Sequence, residues 1–323
     1  MNEIIKNIYQ VQVPLPGSPL KILNSYIIKG KDRHLLVDVG YNADESENAI
    51  KDAFDELGLK LEDTDIFLTH LHGDHTGCIE RLKHVCQNIY ISKFDGDAVN
   101  RTMTLEYWME VMAVQEHMGI PQGQELPYLD HPGHRGGVTT YMELKTVNDG
   151  DLISVGDYTF EVINLKGHTP GLKGLYEKNE KILICGDHII NKITPNINSW
   201  DFENDYLGFF LDNLIKVRAM KLKFVLPGHR TIITDHVTRI NELIAHHEKR
   251  LKRIIEVLSE GEKTIYDVSM RVEWDFGGGF FGDFPNEQKW FAGNEVFAHL
   301  EHLRVIGKVD YTVRDNTFFY YLM

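Results

Sequence analysis

Thr69-His70-Leu71-His72-Gly73-Asp74-His75-Thr76-Gly77 follows directly on the apolar run Ile66-Phe67-Leu68. An apolar run that stops at a polar turn reads as a buried strand and its exit loop. Three imidazoles and a carboxylate within six residues are costly to desolvate together, and neither helix nor strand propensity calls for them. Neutral imidazole and carboxylate are the donors that borderline divalent metals such as zinc prefer. Alternation turns His70 and His72 to one side, and Gly73 lets Asp74 and His75 follow round the turn. The loop therefore offers ligands to two metal ions at the end of a buried strand.

The same grammar recurs along the chain. The strand pattern over 158–165 leads into Gly167-His168-Thr169-Pro170-Gly171, and the run Ile182-Leu183-Ile184-Cys185 ends in Gly186-Asp187. Phe224-Val225-Leu226 runs into Pro227-Gly228-His229. Each ligand-type residue stands beside glycine, which permits the sharp turns that bring loops from separate strands together. Asp38 closes Leu35-Leu36-Val37 just before Gly40 and is either a turn carboxylate or a partner that orients a ligand histidine. Alternation points His188 away from its neighbour Asp187 and gives it a structural role.

Around these strand ends, residues 1–40 read as a β-meander, 43–60 as an amphipathic helix carrying Ile50, Phe54 and Leu57, and 76–87 as another helix before the strand Ile89-Tyr90-Ile91. Strand, helix, strand marks an α/β fold. Residues 96–150 differ: Met103, Leu105, Trp108, Val111, Met112 and Met118 crowd a predicted helix, and 121–137 form a loop rich in Pro, Gly and His. This insertion is either a helical hairpin packed on the core or a lid with an adaptable apolar surface. His117, His131 and His134 within it read as surface or hydrogen-bonding residues.

A helix is expected over 207–220 and a long amphipathic one over 235–259, its polar face carrying Lys249, Arg250, Lys252 and Arg253 towards solvent. Beyond Gly261 come a short helix over 264–268, a Gly/aromatic loop over 276–284, a helix over 294–303 and a hairpin turning at Asp315-Asn316. Three helices and a β-hairpin make a winged-helix plan, which often binds DNA. Residues 262–323, however, hold six Lys/Arg against ten Asp/Glu, so packing on the catalytic domain or on a second copy of the chain is the expected use.

The 323-residue chain is 42% hydrophobic and has net charge −14, which repels a phosphate backbone and disfavours nucleic acid. It has no run of eighteen apolar residues to enter a membrane and no apolar leader after Met1-Asn2-Glu3. Cys78, Cys86 and Cys185 are too few for a disulfide framework in a chain of this length, so a cytoplasmic location is expected. Cys78 and Cys86 read as small core residues.

Taken in order, His70-x-His72-x-Asp74-His75, His168 in Gly-His-Thr-Pro-Gly, Asp187 in Cys-Gly-Asp-His and His229 in Pro-Gly-His resemble the five-part signature of the metallo-β-lactamase superfamily. Asp38 in Leu-Leu-Val-Asp matches the first part, and the resemblance covers roughly residues 1–235. Ile193-Thr194-Pro195-Asn196-Ile197 and the tail are similar to lactamase-B-like hydrolases with a C-terminal winged-helix-like module, among them acyl and thioester hydrolases and an endoribonuclease branch.

The resemblance implies an α/β fold of the αββα type over 1–235, with a helical insertion at about 96–150, then a linking helix and small winged-helix-like domain over 236–323. It implies that His70, His72 and His168 hold one divalent ion, that Asp74, His75 and His229 hold a second, and that Asp187 bridges them, with Thr69 and Asp38 orienting the ligands. Zinc is the first expectation, iron or manganese the alternatives. The expected reaction is attack by a bridging hydroxide, oriented by Asp74, on the carbonyl of a small ester, thioester or lactone. A phosphodiesterase or endoribonuclease using the same centre is the alternative, an iron oxidoreductase a further one, and a homo-oligomer is allowed.

Overall fold

The computed structural model describes residues 1–134, 136–274 and 281–323. Residues 276–280 of the expected Gly/aromatic loop lie outside the described residues.

Among the described residues, seven strands form one sheet in sequence order: β1 (Asn2–Ile5), β2 (Ile8–Pro14), β3 (Ile22–Ile28), β4 (His34–Val37), β5 (Thr64–Phe67), β6 (Ile89–Ser92) and β7 (Lys145–Val147). The meander β1–β4 is antiparallel, whereas β4 to β7 run parallel. The parallel half needs crossovers, supplied by α1 (Asp44–Leu57) between β4 and β5, by α2 (Gly73–Thr76) and α3 (Ile79–Leu82) before β6, and by α4 (Lys93–Arg101) and α5 (Leu105–His117) before β7.

A second sheet has the order β12-β11-β10-β9-β8, from β8 (Leu152–Val155), β9 (Tyr158–Asn164), β10 (Lys173–Glu177), β11 (Ile182–Gly186) and β12 (Phe224–Pro227). Helix α6 (Tyr206–Arg218) makes the parallel crossover from β11 to β12.

Period-two alternation decides the layers. Tyr26, Leu35, Val37 and Phe67 of the first sheet face Phe160, Leu175, Ile182 and Ile184 of the second. Their neighbours Ile27, Leu36 and Ile66 point the other way and are covered by Ile50 and Phe54 of α1. Leu183, Cys185 and Val225 are covered by α6 and by α7 (His236–Leu258). The result is the αββα sandwich.

The tail adds β13 (Lys263–Thr264), α8 (Ile265–Ser269), α9 (Asn286–Val305), β14 (Val309–Arg314) and β15 (Thr317–Leu322), with sheet order β13-β15-β14. Asp315 and Asn316 both have positive φ, as a two-residue hairpin turn requires. Val114 and Met118 of the insertion share a core with Ile254, Phe297 and Phe318, so insertion, linking helix and tail pack together.

Three expectations change. The helix read over 76–87 is the pair α2 and α3, because the Cys78 N–H bonds to the Gly40 carbonyl (2.9 Å) instead of continuing one helix. The helix read over 294–303 begins at Asn286, about two turns earlier, and includes Gly293, a close-packed position where a Cβ would meet Met118 Sδ at 3.2 Å. Arg250 is buried against Glu295 and stacks over Trp274, where the sequence places it in solvent. Of the two readings for His131, surface or hydrogen-bonding, the second holds: it is buried and accepts from the Gly133 N–H at 3.0 Å.

Candidate metal centre

All the ligand-type loops leave strand ends at one edge of the sandwich. β4 gives Asp38, β5 the His70–His75 loop, the β9–β10 connection His168, β11 Asp187, and β12 His229. The two sheets are tied at this edge by β3: the Asn24 N–H donates to the Gly228 carbonyl (2.7 Å), Tyr26 Oη donates to the Pro227 carbonyl (2.7 Å), and Asn24 Nδ2 donates to the Arg230 carbonyl (2.8 Å). Gly228 itself allows a close approach, since a Cβ would sit 2.6 Å from both Asp187 Oδ1 and His75 Cε1.

The structure brings the seven expected ligand side chains together. His70, His72 and His168 form one group, Asp74, His75 and His229 another, and Asp187 lies with His70 and His75 between them. Asp187 Oδ1 is 3.5 Å from His75 Nε2, and Asp187 Oδ2 is 3.5 Å from His229 Nε2 and 3.9 Å from His168 Nε2. Asp74 Oδ2 is 3.3 Å from His229 Nε2. His188 is turned away and packs on Phe210.

Hydrogen bonds on the far side of His70, His75, His168 and His229 fix which nitrogen of each ring faces inward. His75 Nδ1–H donates to Asp38 Oδ2 (2.8 Å), His229 Nδ1–H to the Ile22 carbonyl (2.8 Å), and His168 Nδ1–H to the Asn196 carbonyl (2.7 Å). Thr69 donates its backbone N–H to Asp38 Oδ1 and its hydroxyl to Asp38 Oδ2, both at 2.8 Å, so the hydroxyl oxygen is left to accept from His70 Nδ1–H (3.0 Å). Asp38 and Thr69 thus hydrogen-bond two of the rings from behind.

The inward nitrogens then lie too close for a protein-only network. His72 Nδ1 is 3.0 Å from His70 Nε2 and 3.1 Å from His168 Nε2, and the last two carry lone pairs. One imidazole has too few protons to satisfy both. In the other group, His75 Nε2, His229 Nε2 and Asp187 Oδ1 are buried without hydrogen-bond partners among the described residues. Converging lone pairs and unpartnered donor atoms are the chemistry of a cation site, and the residues fit divalent metal binding.

Charge agrees. Burial, aided by neighbouring imidazoles, pushes His70 far down and His72 to about 3, which keeps their lone pairs free. Burial opposes ionisation of Asp74 and Asp187, yet the facing histidines hold Asp74 at about 2 and Asp187 well below the carboxylate range. Burial likewise opposes protonation of His75 and His229, but the carboxylates raise both, most strongly Asp38 for His75 and Asp187 for His229: this half draws positive charge.

Several contributors carry no ligand motif. Asp95 is fully buried in the first turn of α4; its carboxylate accepts from Leu71 N–H (3.1 Å), Thr169 Oγ1 (2.7 Å) and Gly171 N–H (2.8 Å), which staples the first ligand loop to the His168 loop. The available signal was Ser92-x-x-Asp95, a helix-start pattern confirmed by the Asp95 N–H bond to Ser92 Oγ. Nothing in sequence spacing singled out Asn24 or Tyr26. His246, His247 and Glu295 form a further ligand-type group, but Arg250 and Asn196 already occupy the Glu295 carboxylate.

Beside the centre lies a cavity of about 920 Å³ that reaches His72, Asp74, His168 and Asp187. Its walls include Trp108 and Val111 of α5 and Trp290 and Phe291 of α9, so insertion and tail both line it. Trp200 stacks beside His72 and donates its indole N–H to the His168 carbonyl (3.2 Å).

Residues 20–229 match the family model for the metallo-beta-lactamase superfamily. The chain is 27% identical to a beta-lactamase-like protein 2 homolog of Caenorhabditis elegans over 89% of this chain and 80% of that one. It is 22% identical to an acyl-coenzyme A thioesterase of Bos taurus over 64% of this chain and 72% of that one. Among solved structures, a metallo-beta-lactamase family protein of Thermus thermophilus superposes with a TM-score of 0.82 at 25% identity, covering 99% of this chain and 100% of that one.

Proposed function

The chain belongs to the metallo-beta-lactamase superfamily and is a hydrolase, and from that premise we propose that it cleaves a small thioester, ester or lactone with two divalent ions, zinc first. His70, His72 and His168 would hold one ion and Asp74, His75 and His229 the other, with Asp187 between them. Bound there, the ions would acidify a coordinated water and polarise a carbonyl. The convergence of these seven side chains, with four of the five rings held from behind, carries the reading.

In this reading the chain's own residues do the positioning. Asp38 and Thr69 fix the His75 and His70 rings, and the Asn196 carbonyl fixes His168. Asp74, the more accessible of the two central carboxylates at 13% side-chain exposure against 7% for Asp187, accepts a hydrogen bond from the attacking water and turns its lone pair towards the cavity. Trp108, Val111, Trp290 and Phe291 bury the acyl part and exclude water there.

The cavity also favours a carbonyl over a phosphate backbone. Among the described lining residues the Lys/Arg side chain is Arg101, and Glu110 engages it with both carboxylate oxygens at 2.7 Å. The thioesterase relative supports the same choice. Residues 1–235 form the catalytic domain in this proposal, and 236–323 a linking helix and a module whose α9 completes the cavity. No helix among the described residues is long and apolar enough to cross a membrane, and with no disulfide among its three cysteines a cytoplasmic location is proposed.

Elemental analysis with a substrate screen tests the reading. Full-length protein should carry about two ions per chain and hydrolyse acyl thioesters of a small thiol. Protein that takes up no metal on titration, or that cleaves RNA and leaves every ester, thioester and lactone intact, would overturn it.

A further inference from the structure

We propose that the cavity contains a separate recognition site, built from Trp290 and Asn294 of α9 and His131 of the insertion, for a neutral oxygen on the acyl part of the substrate. Trp290 and Asn294 are one helical turn apart on one face of α9 and both line the cavity, as does His131. The His131 ring meets Trp290 edge-on with centroids 4.4 Å apart, and Trp108 flanks it at 5.1 Å.

All three side chains are more than nine-tenths buried: Asn294 is 1%, Trp290 6% and His131 7% exposed. Yet Trp290 Nε1, both amide atoms of Asn294 and His131 Nε2 have no hydrogen-bond partner among the described residues. Buried polar groups are ordinarily satisfied. The same signature marks His75 Nε2, His229 Nε2 and Asp187 Oδ1 at the candidate metal centre, where a bound ion would complete the set.

The polarity of the cluster selects the ligand. His131 Nδ1 accepts from the Gly133 N–H (3.0 Å), and burial together with His134 pushes the pKa of the ring to about 3, so the neutral imidazole carries its proton on Nε2. His131 Nε2–H and Trp290 Nε1–H are therefore two donors, and the Asn294 amide adds a donor and an acceptor. A hydroxyl or keto oxygen answers this set. An anion would want a cation, and Arg101 of the lining is already held by Glu110. The flanking Trp108 and Phe291 surfaces suit the hydrocarbon that carries the oxygen.

This inference rests on the acyl-hydrolase reading, and its test separates the two. Metal-loaded full-length protein is assayed on the N-acetylcysteamine thioester of octanoic acid and on matched thioesters bearing one hydroxyl at successive chain positions. One position should raise kcat/KM about tenfold over plain octanoyl, the size expected for one completed buried hydrogen bond. In Trp290→Phe and in Asn294→Leu that ratio should fall towards one. Because both substrates are compared in the same protein, a partly unfolded variant does not distort it.

No preference at any position, or a preference that survives both substitutions, overturns the recognition site. In the second case ordered water accounts for the unpartnered atoms. If no thioester is hydrolysed the kinetic readout is lost, and the acyl-hydrolase reading fails only when esters and lactones are left intact as well. Calorimetric binding of the free hydroxyoctanoic acids then decides the site alone: binding tighter than octanoic acid that both variants abolish supports it, and equal binding overturns it.

Discussion

Asp38 Oδ2 lies 2.8 Å from His75 Nδ1 and, at the same distance, accepts the Thr69 hydroxyl, so one carboxylate is tied both to a ring of the second ligand-type group and, through Thr69, to a ring of the first. Asp38 can do this because it sits at φ 56 just beyond β4, which turns its side chain across to the loop after β5. Asp38→Ala should therefore weaken binding at both ions, by about 10- to 100-fold, the usual cost of losing a partner behind a ligand. Competition against a chromophoric chelator reads the affinities. Unchanged affinity at both ions would show that the rings are held by packing alone.

Asp187 and His188 are neighbours with opposite surroundings. Asp187 faces His75, His168 and His229, whereas His188 is fully buried against Phe210. Asp187→Ala should lower metal content and cut kcat/KM by at least about 100-fold. His188→Ala should keep the metal content of the wild type but lose about 2–4 kcal/mol of stability through the space it leaves. Equal metal loss in the two variants would contradict the separation.

The seven ligand-type residues were legible because metal chemistry restricts the side chains it uses and because each stands at the end of an apolar run beside glycine. The alternating layers were legible for a related reason: Ile66, Phe67 and Leu68 cannot all face one core. What pattern could not reveal are contacts made between elements distant in sequence. Asn24 holds the His229 loop some two hundred residues away, and nothing local to Asn24 marks it. Asp95 looks like an ordinary helix-start carboxylate until Leu71 and Gly171 are placed on it. Arg250 sits in a basic run whose other members suit solvent, and only the position of α9 shows that it is buried. The same position gives the tail a share in the cavity, where charge counting alone pointed to packing.

Asp95 carries a pH signature. Burial raises its pKa from the ordinary 3.8 to about 7, against the pull of its hydrogen bonds from Thr169, Gly171 and Leu71. A folded-state pKa above the unfolded one favours folding while the group is protonated. The Asp95 contribution is therefore full below about pH 4 and is lost as pH rises through about 7. The stability of wild type minus that of Asp95→Asn, measured by urea unfolding in chelator, should fall across this window. Parallel curves would show that Asp95 does not titrate there.

Arg250 on α7 and Glu295 on α9 form a buried ion pair, and Glu295 Oε2 also accepts from Asn196 Nδ2 at 2.8 Å. Asn196 in turn offers its carbonyl to His168 Nδ1–H, so the tail reaches a ligand-type ring through one residue. Burial pushes the Glu295 carboxyl up, and Arg250 and Asn196 oppose that shift. Arg250→Met alone would strand this carboxylate and should destabilise the fold by about 3–5 kcal/mol. Adding Glu295→Gln removes the stranded charge yet keeps an oxygen for Asn196, so the double variant should recover most of the loss while metal affinity at the His168 group stays near that of the wild type. A double variant as unstable as Arg250→Met would mean that packing of the guanidinium on Trp274, at 4.5 Å from its ring centre, outweighs the ion pair.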